Sequence, residues 1–201
     1  MYLSLLYPNP DHSRARRDLY DPYALHQSLA HAVEPGDRPL WRLEAGRYGE
    51  NPRVLVQTLQ PPRWDRFFEH QTASYGGLAP DSPKPFEPEL SPGQLLRFRL
   101  YANPNVTKAG KRIGLYQEEQ QRSWIKERLE DRGALLLSAL ITRSGKKRFS
   151  KRDQTITLAV AQFDGILRVT DPAKLRRALE SGIGHGKAFG LGLLSIARYG
   201  E

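Results

Sequence analysis

The order of strand-like and helix-like segments constrains the fold of this 201-residue chain more than any other feature. The predicted strands lie at residues 2–7, 40–45, 53–60, 94–102, 134–141, 155–163, 166–169 and 193–197. The predicted helices lie at residues 21–33, 64–70, 117–132 and 171–182. Each half of the chain therefore follows roughly the order β-α-β-β-α-β, which predicts an α+β protein with two tandem ferredoxin-like domains.

A segment rich in proline and glycine, from Tyr75 to Pro92, separates the two halves. Such a composition is typical of loops and linkers. We therefore predict an N-terminal domain at residues 1–80, a linker at 81–92 and a C-terminal domain at 93–201. Within the C-terminal domain, Asp164 and Gly165 are predicted to form a turn between two strands.

The charge of the chain indicates an anionic partner. Its 31 Lys and Arg residues outnumber its 22 Asp and Glu residues, which gives a net charge of +9 and a pI near 9.9. This balance favours binding to nucleic acid or to another anionic surface. A basic protein without such a partner is the plainer alternative.

Several classes of chemistry are excluded or disfavoured by what the sequence lacks. It contains no cysteine, which excludes disulfides, thiolate catalysis and cysteine-ligated zinc. Its five histidines show no spacing with carboxylates that is typical of a metal site, so we expect neither a metal nor a cofactor. Because no segment approaches the roughly 18 apolar residues of a membrane span, we expect a cytoplasmic protein without a membrane partner.

The segment from Gly182 to Gly192 reads Gly-Ile-Gly-His-Gly-Lys-Ala-Phe-Gly-Leu-Gly, and we call it the glycine loop. Free backbone N–H groups in such a loop form a concavity that binds anions. Its spacing matches neither the Walker loop nor the dinucleotide fingerprint. The alternative is a tight turn with close strand packing. The candidate anion contacts are Gly184, His185, Gly186 and Lys187.

Candidate catalytic residues lie near the start of the first predicted helix. Tyr23 and His26 are three residues apart, so they share one helix face. Histidine exchanges a proton near neutral pH and tyrosine donates a hydrogen bond, which suits acid–base cleavage of a phosphodiester without a metal. His31 could flank the same site. The alternative is that all three residues are structural.

Two basic clusters are candidates for phosphate contact. The larger one lies between two predicted strands, so it should project as a hairpin or loop, and it comprises Arg143, Lys146, Lys147, Arg148, Lys151 and Arg152. We call it the basic hairpin. The smaller cluster comprises Lys108, Lys111 and Arg112. Like charges this close repel one another unless a polyanion neutralises them, although a solvated loop is the alternative.

Together these segments resemble a known family, the CasE-type CRISPR-associated endoribonucleases. The glycine loop is similar to the family signature of two Gly-hydrophobic-Gly triplets separated by five residues, one of them basic. Residues 21–26, Asp-Pro-Tyr-Ala-Leu-His, resemble the start of the family's catalytic helix. Residues 94–104 and the Gly-Lys-Arg at 110–112 are similar to its middle segment. The resemblance covers nearly the whole chain.

The resemblance implies two tandem ferredoxin-like domains and a metal-independent endoribonuclease, a subunit of the Cascade complex that cuts CRISPR precursor RNA. The cut would fall at the 3′ base of each repeat hairpin, by 2′-hydroxyl attack, giving a 2′,3′-cyclic phosphate and a 5′-hydroxyl, and the product would be retained. Tyr23 and His26 would carry the chemistry, and the basic hairpin would grip the RNA stem. Partners would be the repeat RNA and other Cascade subunits.

One position departs from the family pattern. Some relatives carry lysine where this chain has His31, and histidine stabilises a phosphorane only when it is protonated. His31 would take that role below about neutral pH or leave it to Lys187 or another cation. Two alternatives to the enzyme stay open here: a non-cleaving RNA-binding subunit of a CRISPR ribonucleoprotein, and a DNA-binding or translation-associated basic protein.

Overall fold

The computed structural model describes residues 1–46, 50–151 and 154–200. These residues form two compact units. The first comprises residues 1–87, the described residues of 149–154, and residues 188–190. The second comprises residues 88–148, 155–187 and 191–200. Among the described residues, no helix is long and apolar enough to cross a membrane.

The first unit is a mixed layer of helices and an antiparallel sheet. Its elements are β1 (Tyr2–Pro8), α1 (Ser13–Tyr20), α2 (Pro22–Leu29), β2 (Leu40–Glu44), β3 (Arg53–Thr58), α3 (Trp64–Gln71), β4 (Gly76–Leu78) and β5 (Lys84–Pro85). The strands pair in the order β2-β3-β1-β4, and β5 also pairs with β1. The path β-α-β-β-α-β with the first and third strands central is the ferredoxin-like arrangement.

The second unit repeats this arrangement with an inserted hairpin. Its elements are β6 (Leu95–Ala102), β7 (Asn105–Lys108), β8 (Lys111–Gly114), α4 (Glu118–Glu130), β9 (Ala134–Lys151), β10 (Gln154–Val169), α5 (Pro172–Ser181) and β11 (Leu194–Arg198). The four-stranded sheet has the order β11-β6-β10-β9, which again places the first and third strands of the motif centrally. The short strands β7 and β8 pair with each other. The predicted tandem ferredoxin-like fold is confirmed.

The first helical segment differs from its prediction. The sequence predicted one helix over 21–33, whereas α1 precedes it and α2 ends at Leu29. Asp21 separates the two helices, because its extended backbone ends α1 and its carboxylate accepts from the Tyr23 and Ala24 amides at the start of α2. The predicted Asp-Pro helix start is therefore confirmed, and the prediction missed α1.

The core of the first unit fixes α2 on the sheet. Leu25 and Leu29 are fully buried and belong to one apolar cluster with Leu6, Val54 and Phe67. Each fully buried leucine contributes roughly 1.5–3 kcal/mol relative to an exposed one. These contacts hold one side of α2 against the core, and the opposite side of the helix does not take part in this packing.

The predicted turn at Asp164 and Gly165 is wrong. Strand β10 runs without interruption through both residues, and Gly165 pairs with Phe98 of β6. A Cβ at Gly165 would overlap the Ser138 carbonyl oxygen of β9. The glycine is therefore required by the close approach of β9, the neighbour of β10 in the sheet.

The five glycines of the glycine loop all have positive φ. The loop closes on itself, because the Ile183 amide donates to the Gly192 carbonyl oxygen at 2.8 Å. The Gly192 amide in turn donates to the Tyr101 carbonyl oxygen of β6 at 2.7 Å. At Gly190, with φ +73°, an added Cβ would lie 2.5 Å from a ring carbon of Trp41. The loop conformation thus depends on residues that lack a side chain.

We expect Gly190→Ala to destabilise the protein by about 2–5 kcal/mol, because it adds left-handed backbone strain to an overlap with a buried indole. Gly36→Ala is the matched control, since Gly36 has φ +98° in the same unit and no atom within 4 Å of an added Cβ. That control should cost only about 1–2 kcal/mol. Denaturant unfolding measures both, and equal losses would contradict the role of Trp41.

Candidate functional site

Tyr23 and His26 lie on α2, whose first turn is fixed by its cap. The Asp21 carboxylate accepts from the Tyr23 amide at 2.9 Å and from the Ala24 amide at 3.3 Å. Pro22 occupies the first helical position, where its missing N–H costs nothing. Both side chains are half-buried, so each combines packing with access to solvent. Their three-residue spacing within this helix places them on one face.

An aromatic contact joins Tyr23 to the glycine loop within the first unit. The ring centroids of Tyr23 and Phe189 are 6.2 Å apart, and those of Phe189 and Phe149 are 4.6 Å apart. Phe149 and Phe189 are both buried. The structure therefore brings the start of α2, the tip of the glycine loop and the end of β9 together.

His31 lies in the short 3-10 helix Ala30–Ala32, after α2. Its ring stacks on the ring of His70 from α3, with centroids 3.6 Å apart and 19° between planes. Partial burial, followed by the charges of His70 and Arg66, lowers the pKa of His31 below its ordinary value of 6.5. The His31 ring is therefore mostly neutral at neutral pH in the free protein.

A group of cations surrounds His185 in the second unit. Partial burial and the charges of Arg112, Lys187 and Arg128, in that order, lower the pKa of His185. The Lys187 ammonium donates to the Gly184 carbonyl oxygen at 3.1 Å. We call His185, Arg112, Lys187 and Arg128 the loop cation cluster. It combines two sequence-predicted segments, the glycine loop and the smaller basic cluster.

Arg128 is the member of this cluster that sequence reasoning missed. Its guanidinium lies 5.7 Å from the ring centroid of Trp124, one helical turn earlier on α4. The Trp-x-x-x-Arg spacing on a predicted helix was the available signal, because residues four apart on a helix are neighbours. The stacking holds the guanidinium in place while it keeps its charge.

The glycines within the loop have structural reasons of their own. Gly184 has φ +80°, and an added Cβ would lie 3.4 Å from the Trp124 ring. Gly186 has φ +90°, and an added Cβ would lie 2.9 Å from a methyl carbon of Leu191. Backbone conformation and packing therefore account for glycine at both positions.

The described residues of the basic hairpin lie on the last part of β9, which runs to Lys151. Arg143, Lys146 and Arg148 are exposed on β9, and the Arg143 guanidinium lies 5.8 Å from the Tyr101 ring centroid. Partial burial and the nearby Arg143 charge lower the pKa of Lys147. The side chain of Lys151 and the whole of Arg152 lie outside the described residues.

The smaller basic cluster lies on the hairpin of β7 and β8. Lys108 pairs with Lys111 across the hairpin, and Arg112 pairs with Thr107. The three cationic side chains are exposed. Like charges opposite each other destabilise a strand pair, so a bound polyanion would stabilise this hairpin.

No cluster of three or more His, Asp or Glu side chains within the described ranges could hold a metal ion.

Comparison with known proteins identifies the family. A family model described as "CRISPR associated protein" matches residues 1–198. The chain is 40% identical over 216 residues to the CRISPR-associated endoribonuclease Cse3 of Thermus thermophilus, covering 98% of this chain and 100% of that protein. It is 28% identical over 202 residues to the CRISPR system Cascade subunit CasE of Escherichia coli, covering 90% and 92%.

A solved structure agrees with both the fold and the sequence comparison. The chain is similar to Thermus thermophilus Cse3 bound to an RNA that represents a pre-cleavage complex, with a TM-score of 0.88, 40% identity and 98% of each chain covered. The chain therefore belongs to the CRISPR-associated protein family, as an endoribonuclease of the CasE (Cse3) type.

Proposed function

We propose that this endoribonuclease cuts CRISPR precursor RNA at the 3′ base of each repeat hairpin. The RNA's own 2′-hydroxyl attacks the adjacent 3′-phosphate, the O2′–P bond forms and the P–O5′ bond breaks. The products are a 2′,3′-cyclic phosphate and a 5′-hydroxyl, and no metal takes part. The proposal is supported by the relative Cse3, whose solved structure holds RNA in a pre-cleavage complex.

The single observation that carries the mechanism is the pairing of Tyr23 and His26 on one half-buried face of α2. One proton must leave the 2′-hydroxyl and one must reach the 5′-oxygen. The His26 imidazole is suited to either transfer near neutral pH. The Tyr23 hydroxyl donates to the phosphate oxygens as charge develops. Contact with Phe189 limits the motion of the Tyr23 ring.

Binding of the RNA rests on three cationic segments. The basic hairpin, here Arg143, Lys146, Lys147 and Arg148 with Lys151 and Arg152, would contact the phosphates of the stem. Lys108, Lys111 and the loop cation cluster would contact further phosphates, with the backbone of Gly184 and Gly186 close by. Burial and, after it, repulsion from neighbouring cations lower the pKa values of Lys147 and His185, and bound phosphate would relieve that repulsion.

The protein would keep its product as part of a larger assembly. The relative CasE is a subunit of the Cascade system, and this chain matches it over 90% of its length. Contacts to phosphates are lost slowly when many are made at once, which suits retention of the cleaved hairpin. We therefore propose that the cut RNA stays bound and that other Cascade subunits are partners.

His26→Ala should lower the single-turnover cleavage rate by about 10²- to 10⁴-fold, because it removes a general acid or base. The RNA dissociation constant should stay unchanged, since the cationic segments are intact. His12→Asn is the matched control: His12 caps α1 and is not part of the proposed chemistry, and asparagine can replace the cap. Wild-type cleavage by His26→Ala would show that cleavage does not need His26 and would contradict this mechanism.

The metal-free mechanism is tested with a repeat RNA, with and without EDTA, and with a 2′-deoxy nucleotide 5′ of the cut. EDTA should leave the rate unchanged, and the deoxy RNA should bind but not be cut. Product analysis should find a cyclic phosphate and a 5′-hydroxyl. Activity that disappears in EDTA and returns with magnesium would contradict the mechanism.

His31→Lys tests whether His31 contributes a positive charge. Because the pKa of His31 is lowered, its charge is present only below about pH 6.5 and is lost as pH rises. If the charge stabilises the phosphorane, it should raise the wild-type cleavage rate as pH falls. His31→Lys, which is charged at every pH, should show this increase in rate throughout. Identical pH–rate profiles for the two proteins would remove His31 from the mechanism.

A further inference from the structure

A buried carboxylate lies directly behind the helix that carries Tyr23 and His26. Asp18 of α1 has a side chain with no exposed surface. Its Oδ1 accepts from the Arg17 guanidinium at 2.9 and 2.6 Å, and its Oδ2 accepts from the Ser28 hydroxyl at 2.5 Å and the Tyr75 hydroxyl at 3.0 Å. A buried charge is tolerated only where it is paired and hydrogen-bonded, and Asp18 meets both conditions.

The donors to Asp18 come from three separate elements. Arg17 belongs to α1, Ser28 to α2, and Tyr75 to the 3-10 turn before β4. Ser28 and Tyr75 are both buried. Burial, then the charge of Asp18 and the hydrogen bond to it, raises the pKa of Tyr75, so its hydroxyl remains a donor. The carboxylate thus joins α2 to two parts of the first unit by directional bonds.

The position of Ser28 on α2 gives this bond a particular effect. Ser28 lies two residues after His26, which is about 200° around the helix axis, so it is on the side opposite the His26 ring. The apolar contacts of Leu25 and Leu29 are non-directional, whereas a hydrogen bond requires a defined donor position. With side-chain ends roughly 5–6 Å from the axis, a rotation of about 10° would move them by about 1 Å.

We propose that Asp18 is a positioning residue for cleavage, which holds α2 at the rotation that aligns Tyr23 and His26 with the scissile phosphate. It acts through the Ser28 hydroxyl and does not touch the RNA. The inference rests on the proposed function of the Tyr23–His26 pair. A displacement of about 1 Å in a catalytic group can lower the rate on the order of 100-fold. Loss of the hydrogen bond from Ser28 to Asp18 is therefore sufficient for a large effect on the cleavage rate.

Ser28→Ala and Tyr75→Phe form a matched pair of variants. Each removes one hydroxyl from the same Asp18 oxygen, but only Ser28 lies on α2. Both variants leave Asp18 three hydrogen bonds, so both should fold. Asp18→Asn is not used, because it would place the NH2 donor of an amide against four other donors. All proteins are compared well below the lowest melting temperature, with His26→Ala as the reference for lost chemistry.

We expect Ser28→Ala to lower the single-turnover cleavage rate by about 10- to 100-fold with an unchanged RNA dissociation constant. Tyr75→Phe should cleave at the wild-type rate. The NMR signals of the His26 ring in the RNA-free protein should shift in Ser28→Ala and remain in place in Tyr75→Phe.

Equal cleavage rates for Ser28→Ala and Tyr75→Phe would overturn the positioning role. If both rates were low, the loss of rate would follow lost stability; if both were at the wild-type level, there would be no loss to explain. Unshifted His26 signals in Ser28→Ala would overturn it as well. If His26→Ala itself cleaved at the wild-type rate, the proposed function would fail and the positioning inference with it. An inactive His26→Ala beside equal rates for the matched pair would reject the inference alone.

Discussion

The close approach of Gly190 to Trp41 is the contact on which the candidate site depends. Any side chain at residue 190 would have to enter the space of an indole that is almost fully buried. Because the backbone has positive φ at this residue, glycine also avoids strain there. The neighbouring Phe189 is thereby held beside Tyr23 and Phe149. A steric requirement at one residue thus determines the surroundings of Tyr23, the tyrosine proposed to take part in cleavage.

The electrostatics of the second unit are unfavourable in isolation and favourable with a polyanion. Cations on β8, α4 and the glycine loop act together on His185, and lysines face each other across β7 and β8. Backbone pairing and packing hold these groups in place despite their repulsion. Binding of phosphates would release that repulsion and the associated counterions, so affinity for RNA should fall steeply with salt. The clustered positive charges of this unit are therefore favourable only when an anionic partner is bound.

Local sequence rules predicted what local forces determine. The order of elements, the Asp21 cap and the shared face of Tyr23 and His26 all follow from backbone periodicity and capping chemistry. Helix α1 was missed because Ser-Arg-Ala-Arg-Arg-Asp-Leu-Tyr is short and contains few apolar residues, and because its buried residues include a charged one. The Asp18 network and the His31–His70 stack join separate elements, so tertiary packing alone creates them.

The tertiary contacts also change the interpretation of the glycine loop. Its glycines are explained by positive φ, by Trp41, Trp124 and Leu191, and by a loop that closes through its own backbone. The anion-binding property proposed for the loop would therefore belong mainly to the side chains that it presents, Lys187 and His185, and to the arginines whose charges act on His185. Glycines can thus be typical of a binding loop even where they do not contact the ligand, because they allow the backbone conformation that positions the charged side chains. By the same logic the proposed chemistry would lie elsewhere, on α2, where the Asp21 cap fixes the first turn and the buried Asp18 carboxylate would hold the helix in position.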